Sequence, residues 1–190
     1  MTNSDDPIWG TRYASMPMDV DIVCPRCAGL AIFSPAFTYL TSDQHASTPS
    51  LKPNARRVQW SRGFLEERFP NDFPWSDKDN PFTQNPWQKI RSVAGVCTCP
   101  SCSRRAKHVL DWPKDAHHVV ETRAGVLWAW NRDMLVAAKS YVESTDRNLG
   151  AHGCGNYLFL RALPSSFLLV KNRSNISSMI DRFLLANTAG

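Results

Sequence analysis

The sequence predicts an α+β fold with two β-hairpins that carry cysteines at their tips, a long irregular insertion between them, and a small helical subdomain at the carboxyl end. Three observations predict it. The pattern C-P-x-C occurs twice, at 24–27 and 99–102, and short runs of β-branched and aromatic residues flank each copy. Between the copies, residues 58–90 carry four prolines, which prevent long regular elements. Beyond residue 130, apolar residues recur at helical spacing.

We divide the chain into three regions. Residues 1–19 form an N-terminal arm, 20–116 hold both hairpins with the insertion at 41–92, and 117–190 form a strand region followed by the helical subdomain. The 190 residues are 43% hydrophobic and 21% charged, and they include seven tryptophans. That composition is typical of a folded globular chain that buries one core.

The first hairpin spans 19–40, with a strand on each side of the first cysteine pair. The polar stretch 41–56 has no apolar repeat, which indicates a mobile loop. Residues 58–90 contain three tryptophans, four phenylalanines and four prolines. Because proline prevents long regular elements, we expect an irregular insertion held by its aromatic side chains, with a short helical turn around 63–68.

The second hairpin enters through 92–99, turns at the second cysteine pair and leaves through 106–112, where Pro113 ends it. Residues 117–130 look extended, and Gly125 marks a bulge or turn between their two halves.

Four helical segments complete the chain. Asn131 is a predicted N-cap for a helix over 132–144. Shorter helices are expected at 157–163 and from Pro164 onward. The last helix is predicted to start at Ser174 or Asn175, because apolar residues then recur at one-turn spacing. The expected buried faces of the two longer helices comprise Met134, Leu135, Ala138, Tyr141 and Val142, and Ile176, Met179, Ile180, Phe183 and Leu184.

The strongest chemical signal is a predicted metal site made of Cys24, Cys27, Cys99 and Cys102. Two cysteines three positions apart on a tight turn can both point inward, and two such knuckles supply four thiolates at tetrahedral corners, as closed structural zinc sites require. The sequence therefore predicts one structural Zn²⁺. The alternative, a pair of redox dithiols, is disfavoured because neither C-x-x-C opens a helix in a βαβ unit.

The two knuckles with their flanking strands, at about 20–34 and 93–112, resemble the zinc ribbon of transcription factors and primosomal helicases. The long segment between Cys27 and Cys99 departs from the usual ribbon linker. Closing a long loop costs only slightly more than closing a short one, so a split ribbon is feasible. Cys97 competes with Cys99 as a ligand, but C-T-C is too short for a knuckle, and we assign Cys97 a spare position.

The remaining candidate residues give weak signals. Cys154 lies two residues after His152, which is compatible with an activated nucleophile, a second metal site or, more simply, a packed or idle thiol. The adjacent His117 and His118 face opposite sides of a strand and cannot chelate together. His45 and His108 are read as surface or satisfied histidines. The chain lacks the common nucleotide-binding, hydrolase and metalloprotease motifs, so we do not expect an enzyme.

The layout also resembles immunity proteins encoded beside antibacterial nuclease toxins of type VI secretion. That resemblance implies a cytoplasmic protein that binds and blocks a cognate toxin, with no membrane partner. An insertion rich in Trp, Phe and Arg suits a protein interface, and the local acids Asp72, Asp77 and Asp79 could contact a nuclease. The net charge of +5 leaves nucleic-acid binding as the alternative. Its candidate contacts are Arg56, Arg57, Arg62, Arg104, Arg105 and Lys107, with Trp60 as a stacking platform.

Overall fold

The structure, a computed structural model, describes residues 16–41, 55–57, 63–73, 93–152 and 157–187. The fold is α+β with antiparallel sheets. The chain divides into two units. One unit consists of the chain up to Val23 and from Pro113 onward, and the other is Cys24–Trp112.

The Cys24–Trp112 unit is all β among its described residues. Strands β2 (Leu30–Pro35), β6 (Val93–Cys99) and β7 (Arg104–Leu110) are neighbours in that order within one sheet. A second sheet has the order β3 (Phe37–Thr41), β5 (Gly63–Glu67), β4 (Ala55–Arg57).

Ala36 connects the two sheets. Its backbone N–H donates to Ala94 O at 2.9 Å, and its carbonyl accepts from Arg68 N at 2.9 Å. The first sheet thus ends at Pro35, and β3 pairs with β5 instead. The prediction of a single hairpin running to residue 40 is therefore wrong, because the chain changes sheets at Ala36.

The described part of the insertion is more regular than the sequence predicts. Residues 63–67 form β5 instead of a helical turn, because they pair with β3 on one side and β4 on the other. A helical turn follows at 69–73, where Phe73 N donates to Phe69 O at 2.8 Å. The rest of the insertion, with Trp60, Arg62, Asp77 and Asp79, lies outside the described residues.

The other unit combines β1 (Val20–Val23), a hairpin of β8 (His118–Thr122) and β9 (Gly125–Ala129), and helices α1 (Arg132–Glu143), α2 (Tyr157–Arg161) and α3 (Val170–Ala186). Short 3₁₀ turns occupy Leu149–His152 and Ser165–Leu168. Gly125, at φ +128°, joins β8 to β9 as the sequence predicts. The core of this unit is apolar and includes Val20, Ile22, Trp130, Leu135, Leu160, Ile176 and Ile180.

Helix α1 matches its prediction closely. Asn131 Oδ1 accepts from Met134 N at 2.9 Å, and the five predicted core residues are the buried ones. Helix α3 starts earlier than predicted, at Val170, and Leu169 precedes it without a side-chain cap. Asn175 instead accepts a hydrogen bond from Arg123 N at 3.0 Å. Sequence reasoning therefore misplaced this start, because Asn175 bonds a distant loop.

Candidate metal centre

Both cysteine pairs lie on turns that share an unusual backbone conformation. The residue after the second cysteine is left-handed in each turn, with φ +59° at Ala28 and +53° at Ser103. In the first turn, Ala28 N donates to Cys24 O at 3.0 Å, and Cys24 N donates to Gly29 O at 2.8 Å. Left-handed backbone turns the chain sharply, so both cysteines of a pair lie on the inner side of the turn.

The second turn follows directly from strand pairing. Cys99 is the last residue of β6 and pairs with Arg104, the first residue of β7. Pro100 and Ser101 lie between the cysteines and are exposed. The register of one hairpin therefore fixes where Cys99 and Cys102 lie.

The four cysteines predicted as ligands come together. All four sulfur atoms lie within 4.8 Å of one another. Across the two turns, Cys24 Sγ lies 3.8 Å from Cys102 Sγ, and Cys27 Sγ lies 3.6 Å from Cys99 Sγ. A tetrahedron with metal–sulfur bonds of about 2.3 Å has sulfur–sulfur edges of about 3.8 Å, so the sulfurs fit one tetrahedral ion.

Burial differs among the four ligands. Cys24 and Cys99 are buried, Cys102 is half-buried, and Cys27 is exposed. The site therefore lies near the surface of this unit, with one of its four cysteines exposed. The Cys99 thiol donates to Leu30 O at 3.6 Å, which orients it beside the start of β2.

Backbone amides favour thiolate at this site. Arg26 N donates to Cys24 Sγ at 3.5 Å, and this bond, with one from the Cys27 amide, lowers the pKa of Cys24 to about 6. The Gly29 amide lowers the pKa of Cys27, but the Cys99 thiol, burial and the other two thiols raise it to about 12. Four sulfurs this close cannot all ionise without a cation, because their negative charges repel.

The donor set decides which ions fit. Thiolates are soft ligands, and a tetrahedral set of four is typical of zinc or of iron. Four protein ligands also fill a tetrahedral shell and leave no position for a substrate. The arrangement can therefore crosslink two turns of the chain.

Cys97 lies outside this group. It is buried in the sheet, where it pairs with Phe33 on β2 and Ala106 on β7. Burial raises the pKa of its thiol, which favours an uncharged core residue. Cys97 and Cys99 are two positions apart on β6, so their side chains lie on the same buried face of the sheet. Only Cys99 is at the end of the strand, next to the turn that carries Cys102, and this explains why Cys97 is not part of the sulfur cluster. Cys154 and His45 lie outside the described residues.

The adjacent histidines His117 and His118 hold structural positions. His118 is buried, and its Nε2 lies 2.7 Å from Asp21 Oδ2. His117 stacks edge-on against His118, with ring centroids 5.0 Å apart, and both rings contact Phe183. The expectation that the two side chains face opposite sides of a strand is therefore wrong, because His117 precedes β8 and only His118 belongs to it. The Asp21 pairing was missed from the sequence because its partners are 97 positions apart.

The basic residues of β7 have intramolecular partners. Arg105 Nη2 lies 2.5 Å from Asp72 Oδ2, and the guanidinium lies 5.7 Å from the Phe69 ring centroid. Lys107 Nζ lies 5.3 Å from the centroid of Phe73. The helical turn at 69–73 thus packs on the outer face of β7. In the sequence this turn shows only as an acid between two phenylalanines, a pattern that does not reveal which cations it meets.

Comparison of the chain with protein-family models, with curated proteins and with solved structures finds no match. Among the described residues, no helix has both the length and the apolar character that a membrane crossing needs.

Proposed function

We propose that Cys24, Cys27, Cys99 and Cys102 bind one structural Zn²⁺ and that the unit they crosslink is a zinc ribbon divided by an insertion. The sulfur geometry carries this proposal. Zinc suits it because the ion has no preferred geometry other than the one its ligands impose, and four thiolates bind it tightly without redox chemistry.

Elemental analysis of protein purified under reducing conditions tests the metal. We expect one equivalent of zinc, and replacement by Co²⁺ should give the strong visible absorption of tetrahedral thiolate coordination. One equivalent of iron, or no metal, would contradict the assignment.

Two variants distinguish a cysteine that binds the metal from a nearby cysteine that does not. Cys99→Ser should reduce bound zinc well below one equivalent, because the thiolate is lost. Cys97→Ala is the matched control, two positions away on the same strand and equally buried; it should keep the full equivalent. Zinc loss in Cys97→Ala but not in Cys99→Ser would reassign the ligand.

We further propose that the protein is a cytoplasmic binding protein and not an enzyme, and that it binds and blocks a cognate antibacterial nuclease toxin as an immunity protein. Support comes from a metal site whose ligands fill its coordination shell, and from the resemblance to type VI immunity proteins. A reducing cytoplasm also suits four thiolates, because disulfides do not form there readily.

The contacts of β7 favour a protein partner over nucleic acid. Arg105 is already paired with Asp72, so β7 presents fewer unpaired cations to phosphate than its sequence suggests. Nucleic-acid binding is the second candidate, supported by the net charge of +5 and by exposed Arg26 on the first turn. It predicts an affinity for a DNA or RNA duplex that falls steeply with salt.

Coexpression with the product of the adjacent gene tests the immunity role. We expect a nanomolar complex and survival of cells that otherwise die from that product. Cys99→Ser should rescue poorly, whereas Cys97→Ala should rescue fully. No complex and no rescue would contradict the immunity role, and salt-sensitive binding to a nucleic acid without any protein complex would favour the second candidate.

A further inference from the structure

Strand β7 ends its sheet among the described residues, and it is regular along its whole length. All seven residues pair with β6 in an unbroken register from Val93–Leu110 to Cys99–Arg104. No strand among the described residues pairs with its other side. An edge strand of this kind offers unpaired backbone groups to an added strand.

The alternation of backbone hydrogen bonds along β6 shows which backbone groups of β7 are unpaired. Ala36 N donates to Ala94 O at 2.9 Å, so Ala94 points its backbone toward β2. In an antiparallel sheet the direction alternates, so Gly95, Cys97 and Cys99 point toward β7. Their partners on β7 are His108, Ala106 and Arg104.

The backbone groups of Arg105, Lys107 and Val109 therefore point away from β6. These are also the three β7 residues before Leu110 whose side chains are exposed, and Val109 is 57% exposed. We call these outward groups the free edge of β7.

Charge determines what can pair with this edge. Strand β7 has the sequence RRAKHVL, with three permanent cations and no acid. A second copy of β7 would place Arg105 and Lys107 near identical cations, and like charges across a strand pair are destabilising. An acidic segment would meet opposite charges instead.

The protein itself contains an example of the matching chemistry. The Asp72 carboxylate pairs with Arg105, and the Phe73 ring covers Lys107. An acidic and aromatic segment from outside the strand thus contacts these cations on one face, where only Arg105 has a carboxylate partner, and no backbone hydrogen bond joins residues 69–73 to β7. The outer face thus has a preference for acids, and the backbone edge beside it is open to a longer segment.

From these contacts we infer that the free edge of β7 binds an extended acidic segment of a protein partner as an added β-strand. The backbone bonds supply affinity and the alternate side chains supply specificity. The position opposite Lys107 favours Asp or Glu, and the position two residues away, opposite exposed Val109, favours an apolar residue. The recognised pattern is an acid and an apolar residue separated by one position. This inference rests on the proposed function, since it assigns a surface to a protein partner.

Selection from a displayed library of random nine-residue peptides against the zinc-loaded full chain tests the inference. We expect enriched peptides in which an acid lies two positions from a β-branched or aromatic residue. Val109→Pro removes one outward N–H without altering charge or any ladder bond to β6, and it should weaken binding of a selected peptide at least tenfold. Val109→Thr keeps the N–H and the β-branched shape and should bind as the native protein does.

A charge variant provides the second readout. Lys107→Glu should lose the acidic peptides and select lysine-containing ones. The inference is overturned if selection yields no peptides, if the peptides lack acids, or if they bind Val109→Pro with native affinity. The proposed function is judged separately, because a toxin complex that forms equally well with Val109→Pro supports the immunity role and places its interface elsewhere.

Discussion

Single residues at the cysteine turns adopt conformations that their side chains disfavour. Ala28 and Ser103 are both left-handed, and the left-handed region costs a residue with a Cβ about 1–2 kcal/mol. Both turns have this left-handed residue directly after the second cysteine. We infer that the conformation is imposed by the positions of the two sulfur atoms and not by the preference of the residue itself. The turns are therefore locally strained and depend on the rest of the site.

Replacing Ala28 by glycine should stabilise the protein. Glycine removes the steric cost but adds chain entropy to the unfolded state, and the net gain is about 0.5–1 kcal/mol. Ala94→Gly is the matched control, because Ala94 is an exposed residue within β6, where glycine destabilises by about the same amount. Urea denaturation at fixed free zinc measures both. Equal effects of the two substitutions would contradict the argument.

His117 should make stability depend on pH. Burial lowers its pKa, and neighbouring His118 lowers it further. The unfolded state then binds the proton more tightly, so this contribution is full above about pH 6.5 and is lost as the pH falls through that value. Between pH 7.5 and 5.5 the native protein should lose more free energy of unfolding than His117→Gln does. Equal losses in the two proteins, measured by urea denaturation, would show that His117 has the same pKa in the folded and the unfolded state.

At the scale of elements, the pairing of β2 with β6 helps to determine how far apart the two cysteine turns lie. Strands β2 and β6 approach closely at Gly95, where an added Cβ would lie 2.2 Å from Ser34 O and 2.7 Å from the Phe33 ring. Both turns are anchored to this ladder, since the first turn leads into β2 and the second follows β6. Close packing of the two strands thus helps to set the distance between the sulfur pairs.

Gly95→Ala should therefore destabilise the Cys24–Trp112 unit. The contact with backbone oxygen cannot be relieved by a side-chain rotation, and overpacking of this kind costs about 1–3 kcal/mol. Gly29→Ala is the control, because its Cβ would lie at an ordinary 3.4 Å from Ser101 Oγ. Thermal denaturation should show a lower Tm for Gly95→Ala alone. A native Tm for that variant would mean that the strands separate at little cost.

At the scale of the whole molecule, the two units rely on different sources of stability. The unit of β1, β8, β9 and the helices contains fully buried Trp130, Leu135 and Ile180. The other unit adds a site where four thiols converge from turns that are far apart in sequence. A bound ion there stabilises the folded form of this unit, because the four ligands are assembled only in the folded chain.

Removal of the proposed zinc ion should consequently loosen one unit more than the other. After treatment with a chelator under reducing conditions, backbone amides of β6 and β7 should exchange hydrogen faster, whereas amides of α1 and α3 keep their protection. Hydrogen exchange followed by mass spectrometry measures both, and Cys99→Ser should reproduce the pattern without a chelator. Uniform loss of protection in all elements would show that the units unfold together.

Local patterns in the sequence determined the four candidate ligands, the N-cap at Asn131 and the buried face of α1, because each depends on residues within a turn or two. The tertiary structure alone decided the sheet change at Ala36, the strand at Gly63–Glu67, the start of α3 and the partners of Arg105 and His118. Those features depend on pairings between residues far apart in the chain. Composition and periodicity show that a residue is polar or apolar, but they do not show which distant residue it meets.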